Sequence, residues 1–372
     1  MKVDALYSVI SGTGRFIPSQ LVKNEAFLQH EFFNAAGQKN KKSNKEIVHK
    51  FRQITGIEER RYAEDDQVAS DLGYFAAENA LASSAIDKET LDYIIVAHNF
   101  GDVLHTNRKS DMVPSLAARI KYRLGIRNPY TIAYDLPFGC PGWVQAMIQA
   151  DYYIRSGDAK RILVIGTETL SRISDPHDID SMIYSDGAGA VVLEALQSET
   201  PVGILAHKTR SDTMEHANLL RMDVSYKPEH TDDTLFLKME GRKLYEYALT
   251  HVPPLVSECL DKADLSIHDI SKLLIHQANA KMDEAILTRL LRLLKVMEAP
   301  EHIMPMSIAK LGNNSVATVP VLLDMVCRNE MEDHSISQGD NLIMASVGAG
   351  MNINALVYKV HQTPTAFASP TT

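Results

Sequence analysis

Cys140 lies in the run Leu136-Pro137-Phe138-Gly139-Cys140-Pro141-Gly142-Trp143, where an extended segment over residues 130–136 gives way to a helical pattern. Pro141 suits a first helical position, because its missing N–H has no partner there anyway. A thiol at a helix start faces unpaired N–H groups and the positive end of the macrodipole, which favour the thiolate and predict a pKa below the ordinary value of about 8.5. A cysteine is as readily a small buried hydrophobe, and that is the reading for Cys259 and Cys327, which sit in apolar helical patterns. His276 ends the strand-like run Leu273-Leu274-Ile275, and side chains at such ends face a crevice. A lone histidine is more often structural, and Gly312-Asn313-Asn314 by itself is only a turn signal. Together the three residue types suit acyl chemistry on thioesters. Cys140 attacks a thioester to give an acyl-enzyme. His276 and Asn313 hydrogen-bond the carbonyl oxygen of a second thioester and stabilise its enolate, an effect worth about 3 kcal/mol per donor. The scheme calls for no metal and no organic cofactor.

The elements that must bring these residues together are of α/β type. A helical pattern over residues 71–84 precedes the apolar run Tyr93-Ile94-Ile95-Val96, and such pairs alternate along the chain. The plan of helix, polar turn and buried strand over residues 78–96 recurs over residues 258–276, an offset of 180. Two further landmarks recur in order. Gly139-Cys140 before a helix answers Gly312-Asn313 before a helix, and Gly187-Ala188-Gly189 answers Gly348-Ala349-Gly350. The correspondences predict two similar halves, residues 1–198 and 199–362, with a disordered Pro-, Ser- and Thr-rich tail over 363–372. Chance periodicity of α/β elements is the alternative. If the halves pack about a pseudo-two-fold axis, Cys140 and Asn313 approach from two helix starts and His276 joins them from a neighbouring strand end. The lysine-rich run over residues 39–45 reads as a solvated loop, a docking patch for an acidic partner being the alternative.

Composition narrows the function classes. The 372 residues suit two or three domains or one large duplicated unit. A hydrophobic fraction of 45% places the chain among globular proteins. A net charge of -9 offers no general attraction to nucleic acid or anionic lipid. No apolar run reaches the roughly 18 residues of a membrane span, and no signal-like segment follows Met1, so a soluble, cytoplasmic protein is expected. Three scattered cysteines suit neither a disulfide framework nor a structural zinc site.

With these residues in place, almost the whole chain resembles the β-ketoacyl-acyl-carrier-protein synthase III-like enzymes of the thiolase superfamily. The resemblance rests on Thr55-Gly56-Ile57, Cys140, Ser185-Asp186-Gly187-Ala188-Gly189-Ala190, His276-Gln277-Ala278-Asn279, Gly312-Asn313-Asn314-Ser315 and Gly348-Ala349-Gly350, in that order. It implies a five-layered α-β-α-β-α fold, a homodimer and a Cys140, His276, Asn313 triad. It also implies an oxyanion hole made by the backbone of Cys140 and of Ala349 or Gly350, and entry of phosphopantetheine-borne substrates past Ala278 and Asn279. Arg172 matches a CoA-contacting arginine, whereas Lys50 and Glu58 replace the Trp and Arg that clamp the CoA adenine in acetyl-CoA-primed members. That change points to delivery by acyl-carrier protein. Lys281 matches a carrier-docking arginine, and Arg289 and Arg292 extend the same basic helix face, an ordinary solvated face being the alternative. Residues 100–111 form a longer, more polar loop than the family's. The context of Cys140 is similar to specialised-metabolite members, including those that make dialkylresorcinols through a cyclohexanedione. The expected activity is carbon–carbon bond formation between two acyl thioesters carried on CoA or acyl-carrier protein. The alternatives are acyl transfer from Cys140 to a hydroxyl or amine, and a non-catalytic partner of a related synthase, against which the retained triad argues.

Overall fold

A computed structural model describes residues 5–230 and 233–362. The tail expected over 363–372 lies outside the described residues. Helix α1 (Asn44–Thr55) opens on Ser43, whose hydroxyl accepts from the Glu46 N–H while the Glu46 carboxylate takes the Ser43 N–H. It closes on Gly56 at φ +73°. The reciprocal cap satisfies donors the helix leaves open, and glycine takes the left-handed conformation without a Cβ penalty. Helices α2 (Ala69–Ser84) and α3 (Leu116–Arg123) follow. In α4 (Gly142–Ser156) Trp143, Ala146, Met147, Ala150 and Ile154 are all buried, as their three- and four-residue spacing requires of an interior helix. The later long helices are α5 (Gly241–Ala263), α6 (Ala280–Leu293) and α7 (Thr318–Cys327).

The first sheet contains β1 (Ala5–Phe16), β2 (Tyr93–His98), β3 (Ile132–Pro137), β4 (Arg161–Thr169) and β5 (Asp186–Ser198), in the order β1-β5-β4-β2-β3. The second contains β6 (Gly203–Ser211), β7 (Ile270–Ile275), β8 (Asn341–Gly348) and β9 (Asn352–Lys359), in the order β6-β9-β8-β7. In the first, β1/β5 and β5/β4 are antiparallel while β4/β2 and β2/β3 are parallel. In the second, β6/β9 and β9/β8 are antiparallel and β8/β7 is parallel. The second sheet thus repeats the order and polarity of four strands of the first, and β3 is the addition.

Helices α2 and α3 cover the outer face of the first sheet, α4 and α7 fill the space between the sheets, and α5 covers the outer face of the second with α6 packed on it. These are the five layers α-β-α-β-α. One apolar cluster joins Trp143, Met147 and Ile154 of α4 to Val319, Leu322 and Val326 of α7 and to inward residues of both sheets. The two buried helices are therefore the common core. Cys140 precedes one and Asn313 precedes the other, as the internal repeat predicts. The third correspondence is looser. Gly187-Ala188-Gly189 lies inside β5, whereas residues 348–350 run from the end of β8 into the hairpin before β9.

Candidate active site

Cys140 sits in the turn between β3 and α4, one residue after Gly139 at φ +74°. The hairpin after β8 presses against that turn. A Cβ on Gly348 would stand 2.7 Å from the Cys140 nitrogen, and one on Gly139 would stand 3.0 Å from the backbone N and O of Ala349. Only glycine permits this approach, and it brings the Cys140 and Ala349 backbones to one place. His276 follows β7 directly, and its N–H donates to Ala345 O of β8 at 2.8 Å. The next residue, buried Gln277, donates to Pro305 O at 2.8 Å and accepts from the N–H groups of Ser307 (2.9 Å) and Ile308 (3.1 Å). It thereby ties the end of β7 to the short helix Ile308–Leu311 that leads to Asn313. Asn313 is bonded through its backbone on both sides, its N–H to Ile183 O at 2.9 Å and its carbonyl to the Ser185 N–H at 2.8 Å. Its Oδ1 accepts from the Ser315 N–H at 2.8 Å, which leaves the amide NH2 as the group to offer a ligand.

Cys140, His276 and Asn313 line one cavity of about 650 Å³, together with Ala278, Asn279, Gly348 and Ala349. Its further walls are largely apolar, including Ile47, Phe51 and Ile54 of α1, Leu237, Met239 and Met282 of α6. Leu237 and Met239 belong to the hairpin strand Phe236–Met239, which is pinned from behind. Fully buried Lys238 donates to Asp175 at 2.5 Å and Asp178 at 3.1 Å. Exposed Lys42, Lys50 and Arg242 mark the outer end, so the lysine-rich run expected to be only a solvated loop contributes to the cavity through Asn40 and Lys42.

The electrostatics correct the expectation for Cys140. Burial pushes its thiol up to about 11 instead of down, the Ser315 hydroxyl pulls the other way, and the charge of Glu168 adds to the rise. A helix start does not offset the desolvation of this partly buried thiol. Burial likewise holds the His276 imidazole down at about 4, against the opposing effect of the Ser315 backbone, so it is neutral near pH 7. Glu168, 1% exposed, is raised to about 7 by burial, against the proximity of His98 and hydrogen bonds from Asn99.

Arg172 is not among the residues lining this cavity. It is buried, donating to the carbonyls of Ala63 (3.2 Å) and Glu64 (2.7 Å) and bonded to His105 at 2.6 Å. Glu58 pairs with Arg52. Lys281, Arg289 and Arg292 are exposed on α6, and Arg289 also donates to Leu249 O of α5 at 3.2 Å. Within the polar segment 100–111, Asp102 and Val103 pair with Ser110 and Asp111, and buried Asp102 accepts from Ser70 and Arg119. Cys259 and Cys327 are buried in α5 and α7. The sequence reading passed over Asn99, Glu168 and the side chain of Ser315. The first two follow or end strands of the first sheet, the same signal that selected His276.

Two buried helices between two equivalent sheets, with Cys, His and Asn converging where those helices begin, define the thiolase-like class of condensing folds. Models of the 3-oxoacyl-[acyl-carrier-protein] synthase III family match residues 134–213, and models of its C-terminal part match residues 260–360. Among similar proteins is the β-ketoacyl-[acyl-carrier-protein] synthase III 1 of Vibrio vulnificus, 35% identical over 93% of this chain and 97% of that protein. The solved structure of 3-oxoacyl-[acyl-carrier-protein] synthase III from Aquifex aeolicus superposes with a TM-score of 0.75 at 28% identity, covering 95% of this chain and 99% of that one. A priming β-ketosynthase from a polyketide pathway gives 0.78 at 25%, covering 98% and 99%. The chain belongs to the 3-oxoacyl-[acyl-carrier-protein] synthase III family, and it is an acyltransferase of the condensing type. Among the described residues no helix is long and apolar enough to cross a membrane.

Proposed function

We propose that this chain joins two acyl thioesters by a carbon–carbon bond through an acyl group held on Cys140. The observation that carries the reading is the convergence of Cys140, His276 and Asn313, from three distant segments, on one cavity. In the first step the Cys140 sulfur attacks the thioester carbonyl. The carbonyl oxygen becomes negative facing the backbone N–H groups of Cys140 and of Ala349 or Gly350, and the carrier leaves as its thiol with the proton. In the second, neutral His276 and the Asn313 amide donate to the carbonyl oxygen of the second thioester. Loss of CO2 from a carboxylate on its α-carbon leaves the electron pair as an enolate, whose carbon attacks the acyl group, and the Cys140 sulfur departs as a thiolate that takes up a proton. Every step uses protein groups, without a metal or organic cofactor.

Thioesters on acyl-carrier protein or CoA enter past Ala278 and Asn279, with Lys281, Arg289 and Arg292 facing the acidic carrier. The buried place of Arg172 favours a role in holding residues 63–64 over contact with CoA. Apolar walls favour chains longer than acetyl, since each buried methylene contributes about 0.8 kcal/mol. Together with the context of Cys140, they favour a specialised-metabolite product of dialkylresorcinol type. The protein acts as a homodimer in the cytoplasm, where thiols stay reduced. Edge strand β3, with Ile132 half exposed, is the surface that favours pairing.

The test is intact-mass analysis after incubation with a panel of acyl-CoA and acyl-carrier thioesters, followed by a second thioester. The expected result is an acyl increment on the peptide holding Cys140, absent in Cys140→Ala, and then a product with a new carbon–carbon bond. An adduct retained in Cys140→Ala overturns the reading. So does an ester or amide as the sole product, which identifies plain acyl transfer.

A further inference from the structure

Among the described residues no cation acts on the Cys140 sulfur, since Lys42, Lys50 and Arg242 stand at the outer end of the cavity, and His276 is neutral, so the thiolate needs another source of stabilisation. A chain of donors answers it. Glu168 Oε2 accepts from the Asn99 N–H at 3.0 Å and from Asn99 Nδ2 at 2.5 Å. Asn99 Nδ2 also donates to Ser315 Oγ at 2.9 Å, and Ser315 Oγ stands 3.3 Å from Cys140 Sγ. The direction of the chain follows from what each group can do. An amide nitrogen has two hydrogens and no acceptor, so with one on Glu168 and the other on Ser315 it offers the hydroxyl nothing to donate to. The hydroxyl proton of Ser315 is left for the sulfur. The backbone of Ser315 is held to the same purpose: it has φ +53°, a left-handed conformation uncommon outside glycine, asparagine and aspartate, with its N–H on Asn313 Oδ1.

We propose that Ser315 is a further catalytic residue, the hydrogen-bond donor that stabilises the Cys140 thiolate, and that Asn99 and Glu168 are positioning residues that fix its direction. The proposal rests on Cys140 being the nucleophile. Glu168 acts in two opposed ways. Its oxygen anchors Asn99 in either protonation state, but its negative charge opposes the thiolate. Near pH 7, where Glu168 gains its proton, the anchor is kept and the opposition removed.

The experiment is the rate of Cys140 alkylation by iodoacetamide against pH, read by peptide mass, with buried Cys259 and Cys327 as internal reporters of an intact fold. It needs no thioester, so it is decided separately from the condensing activity. Ser315→Ala and Ser315→Gly are expected to slow alkylation at pH 7 to 8 on the order of 10-fold, the measure of a hydrogen bond to a charged acceptor, and to move the apparent thiol pKa up. The glycine variant tolerates φ +53°, so equal effects in the two assign the loss to the hydroxyl and not to backbone strain. Glu168→Gln keeps the acceptor oxygen without charge and is expected to alkylate at least as fast as the parent, with the thiol pKa moved down. Unchanged pH profiles in both Ser315 variants overturn the role of Ser315. A Glu168→Gln profile as slow as that of Ser315→Ala overturns the role of the carboxyl. If Ser315→Ala exposes Cys259 or Cys327, the glycine and Glu168 variants carry the decision.

Discussion

At the scale of single residues, burial decides the chemistry of this cavity. A thiol held up at about 11 and an imidazole held down at about 4 are both neutral at rest, so the pair does not store an ion pair. Neutral His276 can donate to an enolate oxygen but does not arrive charged. Protonated only below about pH 4, it should leave condensation, measured with pre-acylated enzyme, without an acid limb between pH 5 and 8. A limb near 6.5 that disappears in a His276 variant overturns this assignment. The same division of labour predicts that His276→Ala still acquires the acyl increment on Cys140 but loses condensation by roughly 100-fold or more, the scale of removing one oxyanion donor. Loss of acylation itself makes His276 the base for Cys140. Types and spacing made Cys140, His276 and Asn313 legible, because each stands where a strand or turn leads into a helix. The neighbours that set their pKa values were not legible, since Ser315 lies 175 residues from Cys140 and 216 from Asn99.

At the scale of elements, α6 combines the cavity with the surface proposed for the carrier. Met282 lines the cavity, and Lys281 faces outward. Next to them, Asp283 is fully buried and neither of its oxygens has a hydrogen-bond partner among the described residues, so burial pushes its carboxyl well above the ordinary range. The place near a helix N-terminus favours a carboxylate by less than about 2 kcal/mol, which burial without a partner exceeds. The sign of the linkage follows. The unfolded carboxyl ionises from about pH 4 upward while the folded one keeps its proton, so the residue weakens folding increasingly with pH until the folded pKa is reached. Asp283→Asn should therefore raise the thermal midpoint at pH 8 more than at pH 4.5. An equal shift at both pH values, or a larger one at pH 4.5, contradicts the buried, protonated state.

At the scale of the whole molecule, the two sheets are equivalent except for β3, and that extra strand stands at an edge just before Cys140. Its residues are half exposed where those of β2 and β4 are buried. Pairing of two such edges would cover them and fix the turn that holds the nucleophile. Sedimentation should give twice the 41.3 kDa of one chain, and Ile132→Lys should shift it toward one chain with a loss of activity. A monomer at micromolar concentration with full activity refutes this arrangement.

The α/β class, the repeat, the buried face of α4 and the positions of the three candidate residues were fixed by the order of amino acids alone. Periodicity, caps and strand ends are written within a few neighbouring residues. The protonation of Cys140, the engagement of Arg172, the donors from Ser315 back to Glu168 and the apolar walls were decided only in three dimensions. Desolvation and hydrogen bonding depend on distance through space, and the groups that supply them here come from segments far apart along the chain.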